Sequence, residues 1–174
     1  MRTETRKIFI YSDPHFGHKN VIKYANRPFS SINEMNSQLI KNFNKVVGHD
    51  DVVYILGDFS FLNTISTAEI LKSLNGYKFL IKGNHDRKTN SAYKKMGFTE
   101  VYDKPIILMN CFILSHEPID ENTGDLINVY GHLHQNAYNN SPMKFCACVE
   151  KTDYKPISLD EIENICNKYR KGEI

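Results

Sequence analysis

The sequence predicts a single α/β domain spanning residues 1–174, and three observations lead to that reading. In the first half, short apolar runs alternate with helical patterns, as they do where strands are buried on both faces of a sheet. The second half is dominated by strand signals joined by short turn-like links. Polar clusters rich in histidine and aspartate follow the candidate strands directly, so the chemistry is expected at strand C-terminal ends.

The elements follow in order. Ile8 to Tyr11 is a short apolar run and reads as the first strand. Ser31 followed by Glu34 forms a capping box. Ile32, Met35, Leu39, Phe43, Val46 and Val47 then recur at helical spacing, and Gly48 can end that helix. Val52 to Leu56 and Phe79 to Ile81 read as further strands. Between them, Ser66 with Glu69 opens a second helix that Gly76 closes. A shorter helix is expected over Asn90 to Met96, before Gly97.

Strands follow at Ile106 to Met109, Phe112 to Leu114, Ile127 to Tyr130 and Phe145 to Val149, as a meander or hairpins. Asn139 to Pro142 is a polar loop. Ser158 with Glu161 starts the last helix, whose stripe is Leu159, Ile162, Ile165 and Tyr169, with a frayed end from Lys168.

Composition excludes several classes. With 41% hydrophobic and 24% charged residues, the chain is globular, neither disordered nor membranous. Its net charge of +2 is too small to signal long nucleic acid or an acidic membrane. Met1 to Lys7 are polar, and Ile8 to Tyr11 are too short for a secretory apolar region. Cys111, Cys146, Cys148 and Cys166 form no CxxC pair, which fits core thiols in a reducing cytoplasm.

The strand-end clusters are Asp13 and His15; Gly57 and Asp58; Gly83-Asn84-His85-Asp86; Ser115 and His116; and Gly131-His132-Leu133-His134. Asp13, His15, Asp58, Asn84, His116, His132 and His134 give a mixed N/O set of metal-ligand candidates. Such donors suit divalent ions: manganese first, with zinc, iron, nickel or magnesium as further options. The set is too large for one tetrahedral zinc but fits two ions sharing a bridging carboxylate.

The string D-x-H, G-D, G-N-H-D, S-H, G-H-L-H, in that order, resembles the calcineurin-like metallophosphoesterase family, in particular its small single-domain bacterial and phage members. The resemblance covers residues 8 to about 150. It implies a double β-sandwich flanked by α-helices (αββα), with Asp13, His15 and His134 on one metal, Asn84, His116 and His132 on the second, and Asp58 between them. It also implies that His85 acts on the leaving oxygen, with Asp86 orienting it. Phe59-Ser60-Phe61 stands where some relatives carry a further polar or acidic residue after the G-D motif.

The expected activity is hydrolysis of a phosphomonoester or phosphodiester, a small one for preference, by a hydroxide bridging two metals. A catalytically silent scaffold of the same fold is the alternative, and a metal-dependent hydrolase of another bond type is a third. A serine hydrolase is excluded, since Ser115 lacks a nucleophile elbow.

Other residues keep two readings. His18 is either an active-site contact or a helix-start residue, and Arg27 and Arg87 are either phosphate contacts or surface cations. The loop from Phe16 to Phe29 either walls the substrate pocket or plugs the core. His49, beside Asp50 and Asp51, reads as surface.

Overall fold

The computed structural model describes residues 6–136 and 140–174, so Met1 to Thr5 of the polar N-terminus and Asn139 of the polar loop lie outside the described residues. Two sheets face one another. The first has the order β4-β3-β2-β1-β9 and the second β5-β6-β7-β8.

In the first sheet, β1 (Ile8–Tyr11), β2 (Val52–Ile55), β3 (Tyr77–Ile81) and β4 (Glu100–Tyr102) are parallel, and β9 (Ile157–Ser158) runs antiparallel beside β1. The short edge strand β4 was not expected from sequence, because a three-residue run with one apolar side chain carries almost no periodicity.

Helices cover the outer face of this sheet. In α2 (Ile32–Val46), Met35, Leu39 and Phe43 are buried against Tyr11, Val53 and Ile55. Each such side chain contributes roughly 1.5–3 kcal/mol through burial. The Ser31 hydroxyl accepts from the Glu34 amide as expected, but the Glu34 carboxylate accepts from the Ser30 amide instead of completing the box at Ser31. α3 (Thr64–Ser73) begins earlier than expected, because Asn63 is the cap and accepts from the Ser66 amide at 2.9 Å. α4 (Asn90–Met96) has the expected bounds, capped by Thr89 and ended at Gly97.

The second sheet corrects the expected meander. Only β5 (Ile106–Leu108) and β6 (Phe112–Leu114) form a hairpin, turned by Met109 and Asn110, both at positive φ. β7 (Ile127–Tyr130) and β8 (Lys144–Cys146) both run parallel to β6. The chain returns between β6 and β7 through residues 115–126, anchored by the buried Asn128. Its amide donates to the Ile113 carbonyl and the Ser115 hydroxyl, and its oxygen accepts from the Ile119 amide.

Phe112, Leu114, Ile127, Val129 and Phe145 pack against Ile10, Leu56 and Ile81 to form the core between the sheets. Leu159, Ile162 and Cys166 of α5 (Leu159–Lys171) close that core along one side. The expected fraying from Lys168 is not seen. The basic last turn Lys168, Arg170 and Lys171 matches the negative helix end, and Gly172 terminates it at φ 69.

β1, β2, β3, β6, β7 and β8 therefore deliver their C-terminal ends to one rim. There a bridge between Ser12 and Cys148 joins the two sheets, with the Val149 amide donating to the Ser12 carbonyl.

Candidate metal centre

The strand-end residues leave their strands through unusual backbone. Asp13, His15, Asp58, His132 and His134 all lie in the left-handed region, at φ between 49 and 68. Non-glycine residues there cost about 1–3 kcal/mol each and persist only where their surroundings over-determine them. Here the β1 and β2 exits bind each other. The His15 amide donates to the Asp58 carbonyl at 3.1 Å, and the Phe16 amide to the Phe59 carbonyl at 3.0 Å. Gly57, at φ 88, lets the β2 exit pass so near His116 that a β-carbon would collide with its ring.

Asp13, His15 and His134 form one ligand group, with one donor atom of each within 4.8 Å of the others. Asp13 Oδ1 and His15 Nε2 are buried without a hydrogen-bond partner. Buried polar atoms are normally satisfied, so two orphaned atoms 3.7 Å apart fit a cation between them. The other atoms of this group are anchored. Asp13 Oδ2 accepts from the His132 amide at 2.8 Å, from Ser12 and from Cys148. His15 Nδ1 lies 3.1 Å from His18 Nδ1. His134 Nδ1 donates to Glu150 Oε1 at 2.9 Å, leaving Nε2 free to ligate. Burial alone would raise the Asp13 pKa, but the close imidazoles of His15, His116 and His134 hold it well below the usual carboxylate range.

A second group combines Asn84 Oδ1, His116 Nε2 and His132 Nδ1. Asn84 lies 2.9 Å and His132 3.2 Å from His116 Nε2. His116 Nδ1 donates to the Leu56 carbonyl at 2.8 Å, which fixes Nε2 as the lone-pair nitrogen. Asp58 stands between the groups, with Oδ2 3.4 Å from His15 Nε2 and Oδ1 3.8 Å from His116 Nε2. Asp13, Asp58 and His116 accordingly form a second close triad. Burial raises the Asp58 pKa, yet the imidazoles of His15 and His116 beside it lower it overall.

His85 is outside both groups. Its amide is fixed to Asp58 Oδ1 at 2.9 Å, while its side chain is 40% exposed with Nε2 4.0 Å from Asp58 Oδ2. Arg87 is exposed beside it, and His49 is exposed as expected.

Two expectations need correction. Asp86 does not bond the His85 ring. Its buried carboxylate accepts from the amides of Asp58, Phe59 and Gly83 and from the Tyr93 hydroxyl, so it knits the β2 and β3 exits together. Burial pushes its pKa up. Arg27 is not free to contact phosphate. Its buried guanidinium donates to the carbonyls of Asp13 and Pro14, both at 2.8 Å, and to Glu150 Oε1. One buried ion pair thus ties the backbone of Asp13 to the partner of His134.

Glu150 escaped the sequence reading although it follows the expected last strand directly, the same signal that marked the other clusters. Phe61 did as well. Its ring stacks on His18 at 4.1 Å and on His15 at 5.1 Å, and meets His85 at 5.0 Å.

The loop from Phe16 to Phe29 divides between its two readings. Phe16 and Arg27 are buried, whereas His18 and Tyr24 line a cavity of about 410 Å³ beside the first ligand group. A second cavity, about 450 Å³, opens beside Asn84 and His116 and is bordered by Lys82 and Lys104. A wider apolar groove of about 620 Å³ between α3 and α4 is lined by none of the candidate ligands.

Comparison with known proteins agrees with this geometry. Residues 6–165 match the family described as calcineurin-like phosphoesterase. The chain is 38% identical to an uncharacterised protein of Methanocaldococcus jannaschii, over 94% of this chain and 93% of that protein. It is 40% identical to the gene 66 protein of Mycobacterium phage L5, over 49% of this chain and 44% of that one.

Among solved structures, a protein of unknown function from Aquifex aeolicus superposes with a TM-score of 0.72 at 28% identity, over 92% of this chain and all of that chain. A nuclease of Pseudomonas putida superposes with a TM-score of 0.50 at 25% identity, over 74% of this chain and 61% of that chain. The near-complete family match and the paired sheets with ligand groups on one rim agree, and the chain belongs to the calcineurin-like phosphoesterase family.

Proposed function

We propose that this chain is a dinuclear metal-dependent phosphoesterase, acting as a single domain on a small phosphomonoester or phosphodiester. The observation that carries the reading is the pair of buried, unpaired ligand atoms on Asp13 and His15, with Asp58 placed between their group and a second one. Asp13, His15 and His134 would hold one divalent ion and Asn84, His116 and His132 the other, with Asp58 available to both. Manganese is the preferred ion, and zinc, iron, nickel or magnesium suit the same donors.

When bound, the ions supply a nucleophile from water near neutral pH and positive charge against the phosphoryl oxygens. The protein supplies the rest. His85, exposed and bonded through its backbone to Asp58, reaches into the site without being needed as a ligand. It delivers a proton to the leaving oxygen or stabilises its charge. His18 fixes the His15 ring and borders the substrate cavity, and Arg87 offers an exposed fork for phosphate. The free thiols of Cys146, Cys148 and Cys166 are buried and suit a reducing cytoplasm, whereas Cys111, expected in the core, is exposed. Among the described residues no helix is long and apolar enough to cross a membrane.

The test is turnover of bis(p-nitrophenyl) phosphate and p-nitrophenyl phosphate by the manganese-reconstituted chain. Cleavage of either, abolished by a chelator and restored by manganese, is expected. Full metal loading with no cleavage of any mono-, di- or cyclic phosphoester would favour the silent scaffold.

A further inference from the structure

The cavity beside His85 has walls that the metal chemistry does not use. Phe61 and Tyr24 are large apolar side chains left 40% and 68% exposed. His18 stands between them, stacked on Phe61 within 19° of parallel and edge-on to Tyr24 at 6.1 Å. Val21 and Ala25 form an apolar floor, and Gln135 and Asn136 bring carboxamides to the rim. Gln135 donates to the Tyr24 carbonyl, which joins the β7 exit to the ring-bearing turn α1 (Val21–Tyr24).

The cavity volume of about 410 Å³ is in the range that holds a small organic ligand. Flat rings around an apolar floor select a flat guest, because stacking rewards any planar π-face and asks little of its edges. Carboxamides at the rim are the groups that read base edges. His85 lines this same cavity, so a group lodged there is on the leaving-oxygen side of the phosphate.

We propose that Phe61, His18 and Tyr24 form a ring-binding subsite for the base of a nucleoside, so that the substrate class is a nucleoside phosphoester with the nucleoside as leaving group. This rests on the phosphoesterase reading above. In the reaction, the oxygen of water bonds to phosphorus and the bond from phosphorus to the nucleoside oxygen breaks. The nucleoside leaves with the proton that His85 delivers, and the proton lost by water returns to His85 through solvent. The products are the free nucleoside and the hydrolysed phosphate.

Two measurements test the subsite without turnover. In the first, adenosine, which has no phosphate, is titrated into the metal-free chain and followed by the ring proton resonances of Tyr24 and Phe61. Saturable shifts are expected at both rings, and the shift of the Phe61 ring should be lost in Tyr24→Leu, as that of the Tyr24 ring should be in Phe61→Leu. Tyr24 is exposed, so its variant keeps the fold even if Phe61→Leu disturbs the histidines.

In the second, calorimetry on the manganese-loaded chain compares methylphosphonate with the uncleavable phosphonate analogue of a nucleoside monophosphate. The nucleoside analogue is expected to bind about 5- to 100-fold tighter, a preference largely lost in Tyr24→Leu. Equal affinity for the two ligands, with no adenosine shifts, overturns the subsite even in a chain that cleaves bis(p-nitrophenyl) phosphate, and leaves the phosphoesterase reading intact. Discrimination between the ligands in a chain that cleaves no phosphoester confirms the ring subsite and overturns the hydrolytic reading instead.

Discussion

The two ligand groups face each other across Asp58, yet they are built differently. Asp13, His15 and His134 are backed by side chains at every point: Arg27 on the Asp13 carbonyl, His18 on His15, and Glu150 on His134. Asn84, His116 and His132 are more open. Asn84 is exposed, His132 is half-buried, and only His116 has its distal nitrogen fixed, by the Leu56 carbonyl. Outer partners set ring orientation and ligand basicity, and removing them typically costs about 10–100-fold in metal affinity or activity. On the proposed dinuclear reading, the first position is preorganised and the second adaptable. The first should hold its ion more tightly, and the second should exchange.

The largest effect separates both groups from the residue that belongs to neither. His85→Ala should lower kcat by about 10²–10⁴-fold while two ions per chain remain. His116→Ala and His132→Ala should lose metal and turnover together. Parallel loss of metal and activity in His85→Ala would make it a ligand and redraw the second group.

Glu150→Gln sharpens the comparison further. It should weaken the tighter ion by about 10–100-fold and leave the weaker one nearly unchanged, as read by metal titration. Equal weakening at both positions would erase the distinction between them. Arg27→Ala should cost more in folding, about 3–5 kcal/mol by chemical denaturation, because Glu150 would be left buried without its guanidinium.

The same pair predicts a pH effect on the metal-free fold. Burial raises the Glu150 pKa, but the bond from His134 and the charge of Arg27 hold it below its ordinary value of 4.5. Its stabilisation is therefore present above about pH 4.5 and lost as pH falls through the depressed value. Denaturation midpoints below that pH should fall less steeply in Glu150→Gln than in the wild type. The smallest effect is expected at Arg87. Arg87→Ala should lower kcat/KM by about tenfold, the worth of one charged hydrogen bond, with stability within about 0.5 kcal/mol.

Much of the site was legible because its residues announce themselves locally. Asp13, His15, Asp58, Asn84, His116, His132 and His134 each follow an apolar run, and the structure brings all seven to one rim. What supports them was hidden, because support is non-local. Arg27 in a polar loop looks like a surface cation until Glu150, 123 positions away, is folded against it. Asp86 likewise reads as a partner of its neighbour His85, whereas its acceptors are filled by the β2 exit 27 and 28 positions earlier.

The parallel return from β6 to β7 was invisible for a similar reason. No helix marks the crossover, and the side chain that anchors it is a single asparagine, Asn128. Phe61 read as a departure from a motif, and its contacts with three histidines exist only once the β1 and β2 exits are paired.

On the proposed reading, two unequal divalent-ion positions share Asp58. Manganese titration of the metal-free chain, followed by calorimetry and by electron paramagnetic resonance, tests it most directly. Two ions per chain should bind in two resolved steps, with a spin-coupled signal after the second step that vanishes in Asp58→Ala. A single ion per chain, or a coupled signal that survives Asp58→Ala, would contradict it.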